Sequence, residues 1–321
     1  MVVSTITTGP AVSAGPVPAR PKRSHWRKRV EIGLFAGPAL VVYLAFVLLP
    51  VLLAAVYSFF NWNGLGPLER FIGFDNYLRA LTDPVFIGAL QNNAFIVVAS
   101  LAVQGPIAIG LALLLNRRMR GRTLLRVLIF IPYVLSEVIA GLAWKLLLQP
   151  QGPLDTFMEA IGLAGLRQLW LADTEVVMWT LFGILTWKYI GFAIILMLAG
   201  LQGVPDELAE AAQIDGASWW QTQRYITIPL LGPTIRIWAF LSIIGSLQLF
   251  DMVWIVTGGG PANATATMAT YMVQYGLNRS QIGFGSAVAV ILFIISLVIA
   301  LFYQRFALRR DLQGSLTQRA G

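Results

Sequence analysis

Apolar residues fall in six long blocks, at about 32–60, 87–115, 123–148, 176–201, 234–256 and 284–306. A run of 18 or more such residues reads as a spanning helix, because the hydrocarbon core of a bilayer is ~30 Å thick and a helix rises ~1.5 Å per residue. The strict apolar–polar alternation of membrane strands is absent. The pattern therefore predicts an all-α integral membrane protein with six transmembrane helices.

The polar stretches between the blocks divide into tails, loops and one longer insert. Met1–Ala19 is rich in Ser, Thr, Gly, Pro and Ala and carries no apolar period, so it predicts disorder. Residues 1–30 are expected to form a disordered basic tail, residues 31–306 the membrane domain and residues 307–321 a second basic tail. Within the first loop, FIGFDNYLRALTDP predicts a short surface helix bounded by turn signals. The longer insert, 204–233, carries its own helix signals. Asp206 and Glu207 suit a helix N-terminus, with Pro205 expected in the first helical turn. Leu208, Ala211, Ala212 and Ile214 follow at near-helical spacing. Asp215-Gly216 predicts a left-handed stop, and Ser218 with Gln221 predicts a capping box for a second helix. Pro229 and Pro233 break the backbone again at the membrane entry. Two short helices joined by a rigid corner are expected. An amphipathic helix lying on anionic lipid would carry Lys and Arg on its polar face. This one carries Asp206, Glu207, Glu210 and Asp215.

Composition sharpens this picture. The chain is 57% hydrophobic and 12% charged, against ~25% charged in soluble domains. The net charge of +8 matters through its placement. With the N-terminus inside, Arg20, Lys22, Arg23, Arg27, Lys28, Arg29, Arg117, Arg118, Arg120, Arg122, Arg126, Arg224, Arg236, Arg305, Arg309, Arg310 and Arg319 are inside. Only Arg70, Arg79, Arg167 and Arg279 are outside. The positive-inside rule puts both termini in the cytoplasm. A basic tail can also serve a nucleic acid, but six spans directly behind it make orientation its role, and no nucleic-acid partner is expected. The first span is too long for a signal peptide and lacks a small-residue cleavage site.

The chain has no Cys, and its one His is His25 in the tail. Disulfides, thiolate metal sites and Cys nucleophiles are excluded. No G-x-x-x-x-G-K-[ST] phosphate loop is present, so any ATP is hydrolysed by another protein. Glu137, Lys145, Lys188 and Asp251 fall inside predicted spans, Glu137 and Lys188 near mid-depth. Each costs roughly 3 kcal/mol near the bilayer centre and is expected to face protein or water. Glu137 and Lys188 could pair as a structural salt bridge, or line a route and hydrogen-bond a hydroxylated solute. Trp144, Trp187 and Trp254 read as packing or interface anchors.

The 204–233 insert resembles the EAA loop of binding-protein-dependent ABC importer permeases. Glu210, Ala211, Ala212, Asp215, Gly216 and Ala217 match the core of that loop, and Ile228, Pro229 and Pro233 match its tail. FIGFDNY (Phe71–Tyr77), IPYVLSEVIAGLAWKLLL (Ile131–Leu148), QLFDMVWIVTGGGPANAT (Gln248–Thr265) and FGSAVAVILFIISL (Phe284–Leu297) are similar to stretches of the carbohydrate branch. They fit a maltose-type first permease subunit, and the likeness spans roughly Phe71 to Phe306. It implies a type I importer transmembrane domain in a bacterial cell membrane. The implied partners are a second homologous permease, an ATPase dimer docked on the EAA residues, an extracytoplasmic solute-binding protein and membrane lipid. ATP and Mg would sit on the ATPase, with no cofactor and no ATPase site on this chain. The likeness also implies solute-lining positions near Glu137, Lys188, Tyr189, Phe192, Ser242 and Ser246, and alternating access as the mechanism. A di- or oligosaccharide, or a related polyhydroxy solute, is the expected solute. The charges of Glu137 and Lys188 depart from a neutral-sugar site and keep glycerol phosphate or another anion open. An ion-coupled transporter, and a membrane enzyme using Glu137 and Asp251, are the rival classes.

Overall fold

The computed structural model describes residues 25–117 and 120–308. Most of the expected tails, and Arg118, lie outside the described residues. Backbone contacts divide the chain into two units, 1–52 and 53–321. Most of the first apolar helix, α1 (Ile32–Tyr57), lies in the first unit. Its Phe35 and Phe46 side chains are about four-fifths exposed.

The described residues of the second unit form helices joined by loops, and among them extended pairing is limited to one bridge between Phe60 and Phe71. The loop after α1 carries α2 (Asp75–Thr82), within the stretch expected to be helical. Asp83 then caps α3 (Pro84–Asn116), accepting from the Val85 amide, with Pro84 at the first helical position. After α3 come α4 (Arg122–Val134), α5 (Glu137–Leu147) and α6 (Pro153–Ala160). The long helix α7 (Val177–Leu201) precedes α8 (Asp206–Ile214), α9 (Trp219–Leu230) and α10 (Gly232–Leu247). The chain ends its described part with α11 (Asp251–Val256), α12 (Met268–Tyr271) and α13 (Ile282–Ala307).

Among the described residues four helices, α1, α3, α7 and α13, are long and apolar enough to span a bilayer. Counting each of two bent pairs as one span makes six. The expected single helix over 123–148 is instead broken between Val134 and Glu137, with its halves at 96°. Pro132 removes an amide donor and crowds the carbonyl four residues back, and Leu135 and Ser136 turn extended. Neither arm, at ~1.5 Å per residue, reaches across ~30 Å of hydrocarbon. The stretch expected as 234–256 is likewise split. α10 ends at Leu247, and α11 is a separate short helix.

Prolines also explain three of the five places where the described helices widen into π turns. Wider π turns at Leu44–Leu48, Ser100–Gln104 and Gln223–Thr227 each end two residues before Pro50, Pro106 and Pro229. In each case the carbonyl that the proline ring would strike lies inside the turn, and widening the turn moves it aside.

Three apolar clusters hold the second unit. One joins Ala108 and Ala112 of α3 to Ala193, Ile194 and Met197 of α7, with Leu231 and Trp238. A second joins Phe86, Met268, Tyr271 and Phe284, and a third joins Ile96, Leu181, Leu185, Met252 and Val253. Small residues let helix backbones approach closely in lipid. A Cβ on Gly191 of α7 would meet the Ile129 carbonyl oxygen of α4 within clashing distance.

Asn93 stitches three elements together. It is fully buried, and its amide donates to the Ser246 carbonyl (2.7 Å) and accepts from the Met268 amide (2.9 Å). Asn92 donates to the carbonyls of Ala264 and Ala266, in the loop between α11 and α12. Asn93→Leu leaves these buried groups unpaired and is expected to cost about 1–3 kcal/mol. A lowered thermal midpoint of the detergent-solubilised protein checks it, with Asn93→Gln as the milder control.

Candidate functional site: a polar–aromatic cavity and an exposed two-helix corner

A cavity of about 250 Å³ opens between α3, α4, α7 and α10, where the first and third apolar clusters meet. Tyr189 and Phe192 of α7 and Ser242 and Ser246 of α10 line it, and all four were singled out by the sequence. The sequence missed Ser100 and Gln104 on α3, Tyr133 on α4, and Trp238 and Gly245 on α10. The signal for the first two was present: they are uncharged polar residues inside an apolar span. The π turn over Ser100–Gln104 brings both to the same cavity. The Tyr133 and Phe192 rings lie nearly parallel, 5.2 Å apart. A Cβ on Gly105 would run into the Trp238 indole, so the bare glycine is what seats that ring.

The sequence left two readings open for Glu137 and Lys188, a structural pair or solute-lining positions, and the structure holds the two as a pair. Neither lines the cavity. Lys188 is 1% exposed, and its Nζ donates to the carbonyls of Pro132 (3.0 Å), Tyr133 (3.1 Å) and Leu135. The physical reason is the broken helix: its last carbonyls have no intrahelical amide to accept from, and an ammonium has three donors and no acceptor. Glu137, a third exposed, begins α5 at 3.7 Å from Lys188 and accepts from the Tyr189 hydroxyl at 3.1 Å.

At the other region of interest, α8 ends in a full left-handed cap. Gly216 has φ +82°. The Ala217 amide donates to the Ala212 carbonyl (2.9 Å) and the Gly216 amide to the Gln213 carbonyl (3.1 Å), the bond pair that closes such a terminus. Ser218 and Gln221 then form a reciprocal capping box for α9. Pro205 sits one residue earlier than expected, as the cap that precedes α8. Ala212 is buried, whereas Glu210, Ala211 and Asp215 are exposed. Ile214 (87%), Trp220 (72%) and Tyr225 (69%) are exposed apolar residues of the same element. The Arg117 guanidinium lies 4.0 Å above the Trp219 ring, tying the end of α3 to α9.

This architecture defines a multi-pass helical membrane protein with a polar–aromatic cavity between its helices. Residues 104–311 match the family of binding-protein-dependent transport system inner membrane components. The chain belongs to that family of ABC importer permeases. It is 32% identical to the diacetylchitobiose uptake system permease of Streptomyces coelicolor, over 92% of this chain and 89% of that one. It is 34% identical to the lactose transport system permease of Rhizobium radiobacter, over 91% and 99%. Its fold is similar to that of a solved bacterial ABC transporter involved in the import of the acidic polysaccharide alginate. There the TM-score is 0.77 and the identity 25%, covering 88% of this chain and 98% of that one.

Proposed function

We propose that this permease carries an uncharged di- or oligosaccharide through the cavity between α3, α4, α7 and α10. The observation that supports this most is the wall itself. Tyr133, Tyr189, Phe192 and Trp238 offer aromatic faces, Ser100, Ser242 and Ser246 offer hydroxyls and Gln104 an amide, and no lining side chain is charged. Sugar rings have apolar C–H faces that stack on aromatic rings and hydroxyls that need matched donors and acceptors. The cation that would favour an anionic solute, Lys188, has its three protons committed to carbonyls. The names of two relatives cite diacetylchitobiose and lactose, which agrees with a carbohydrate.

The remaining parts of the assembly follow the same reading. An extracytoplasmic binding protein delivers the sugar, and a second homologous permease completes the passage. An ATPase dimer carrying ATP and Mg docks on Glu210, Ala211, Ala212, Asp215, Gly216 and Ala217. This chain holds no cofactor and no ATPase site. The basic segments lie in the cytoplasm, as do both termini, and the exposed apolar helix faces meet lipid or the second permease. One packed cluster contains Trp238 of the cavity wall and packs against Trp219 and Ile228 of α9, so a push on the corner has a continuous route to the cavity. Alternating access then needs contacts that differ between the two states, since only differential binding shifts an equilibrium.

The test begins with the cognate binding protein. Its thermal midpoint is measured with lactose, maltose, trehalose, diacetylchitobiose and glycerol 3-phosphate, because a ligand that binds the folded state raises it. The stabilising sugar, radiolabelled, is then followed into cells carrying the whole transporter. Stabilisation by glycerol 3-phosphate alone overturns the uncharged-sugar reading. Uptake that survives deletion of 204–233 overturns the ATPase-coupled reading and favours a self-sufficient channel. The purified chain by itself is expected to hydrolyse no ATP above background, and turnover that persists after removal of contaminating ATPases contradicts this.

A further inference from the structure

We infer that Lys188 is a positioning residue: it holds the broken α4–α5 corner and thereby sets two tyrosines of the cavity wall. This rests on the cavity reading above. The corner is a structural problem before it is a functional one. Two helix ends meet between Val134 and Glu137 at 96°. The end of α4 leaves carbonyls without amide partners and carries the negative end of its dipole. The start of α5 carries the positive end. In the membrane interior no bulk water satisfies such groups.

Lys188 answers the first need. Its Nζ reaches the carbonyls of Pro132, Tyr133 and Leu135, so each of its three hydrogens has an acceptor. Glu137, the first residue of α5, answers the second and lies 3.7 Å from the ammonium. That distance is a charge contact, not a hydrogen bond. The pair is therefore an accessory to the carbonyl contacts. Both outputs of the arrangement point at the cavity. The Tyr133 carbonyl is one of the three acceptors, while its ring lies in the cavity wall against Phe192. Tyr189, next to Lys188 in sequence, is fixed by its hydroxyl on Glu137 and lines the same wall. A buried cation that touches no solute thus orients the two rings that do.

The test is a double-mutant cycle in the whole transporter, with uptake of the sugar bound in the screen above expressed per assembled complex. Tyr133→Ala and Lys188→Met are each expected to lower uptake roughly tenfold or more, because one removes a ring and the other leaves buried carbonyls unpaired and the ring misplaced. Combined, they are expected to fall no more than about twofold below the worse single, since both losses pass through the same ring. Full multiplication of the two losses, or Lys188→Met with parental uptake per complex, overturns the positioning role and leaves the cavity reading standing. A silent Tyr133→Ala overturns the cavity reading and this inference with it. Adding Glu137→Gln to Lys188→Met is expected not to restore uptake, because the carbonyls stay unpaired. Restoration would mean that the charge pair, not the carbonyl cap, was the need. If Lys188→Met does not assemble, Lys188→Gln, whose amide keeps two donors, runs the same cycle. A lower complex yield with parental uptake per remaining complex again overturns the inference.

Discussion

Gly216→Val is expected to abolish sugar uptake while leaving the chain inserted in the membrane. Gly216 sits at φ +82°, and a Cβ there would meet nothing within 4 Å. The obstacle is therefore the backbone and not space. A β-branched residue in this region is strained by roughly 1–3 kcal/mol. It relieves the strain by leaving the left-handed conformation. The Ala217–Ala212 and Gly216–Gln213 bonds then break, and α9 swings relative to α8. The spans themselves do not depend on this corner, so insertion proceeds. The ATPase recovered with the tagged permease is expected to drop at least about tenfold, which a docking free-energy loss of ~1.4 kcal/mol suffices to produce. Gly216→Asn, which tolerates the left-handed region, is expected to retain most of the activity. Glu210→Lys attacks the same surface by charge, leaving Gly216 in place. Parental recovery of ATPase and parental uptake in Gly216→Val would remove the docking role from this element.

The second large effect is expected from Gly245→Trp. Gly245 lines the cavity from α10, and a Cβ there meets nothing within 4 Å. A side chain can therefore start there without a clash at its Cβ, and a glycine inside a helix is itself unfavourable. The introduced indole would occupy much of the roughly 250 Å³ of the proposed sugar path. Blocking the passage is expected to lower uptake roughly ten- to hundredfold, equivalent to ~1.4–2.7 kcal/mol on the barrier. Complex yield and ATPase docking are expected to stay at the parental level, because the corner at Gly216 is untouched. Ser242→Ala and Ser246→Ala remove single hydroxyls and little volume, so each is expected to weaken uptake only a few-fold. If Gly245→Trp transports the sugar at the parental rate, the solute takes another route.

The local devices of this chain were legible because each depends on residues close together in sequence. The left-handed stop at Asp215-Gly216 and the Ser218/Gln221 box need only a few residues to specify them, and both are present. The spans around 87–115, 176–201 and 284–306 also lie within a few residues of α3, α7 and α13. Hydrophobic length alone decides such helices. Four of the six proposed solute positions, Tyr189, Phe192, Ser242 and Ser246, do line the cavity.

Tertiary structure decided the rest. Apolar length says that 123–148 is long enough to cross a membrane. It cannot say that the backbone breaks between Val134 and Glu137, because a break is tolerated in lipid only where another element satisfies the freed carbonyls. That element is Lys188, more than fifty residues away. The same distance hides the role of Lys188 itself. From sequence, a lysine in a span could face a solute, a carboxylate or water. Only the meeting of α4 with α7, set by the bare Gly191 against the Ile129 carbonyl, brings three backbone acceptors to its ammonium. Ser100 and Gln104 became cavity residues for a similar reason: Pro106 widens α3 into a π turn, and α10 packs across it. The sequence alone determined that this chain is a six-block membrane protein with a capped two-helix corner between two of its apolar blocks. Which polar groups line the cavity, and which serve the backbone, depended on contacts between residues far apart in the chain, where no local pattern carries the information.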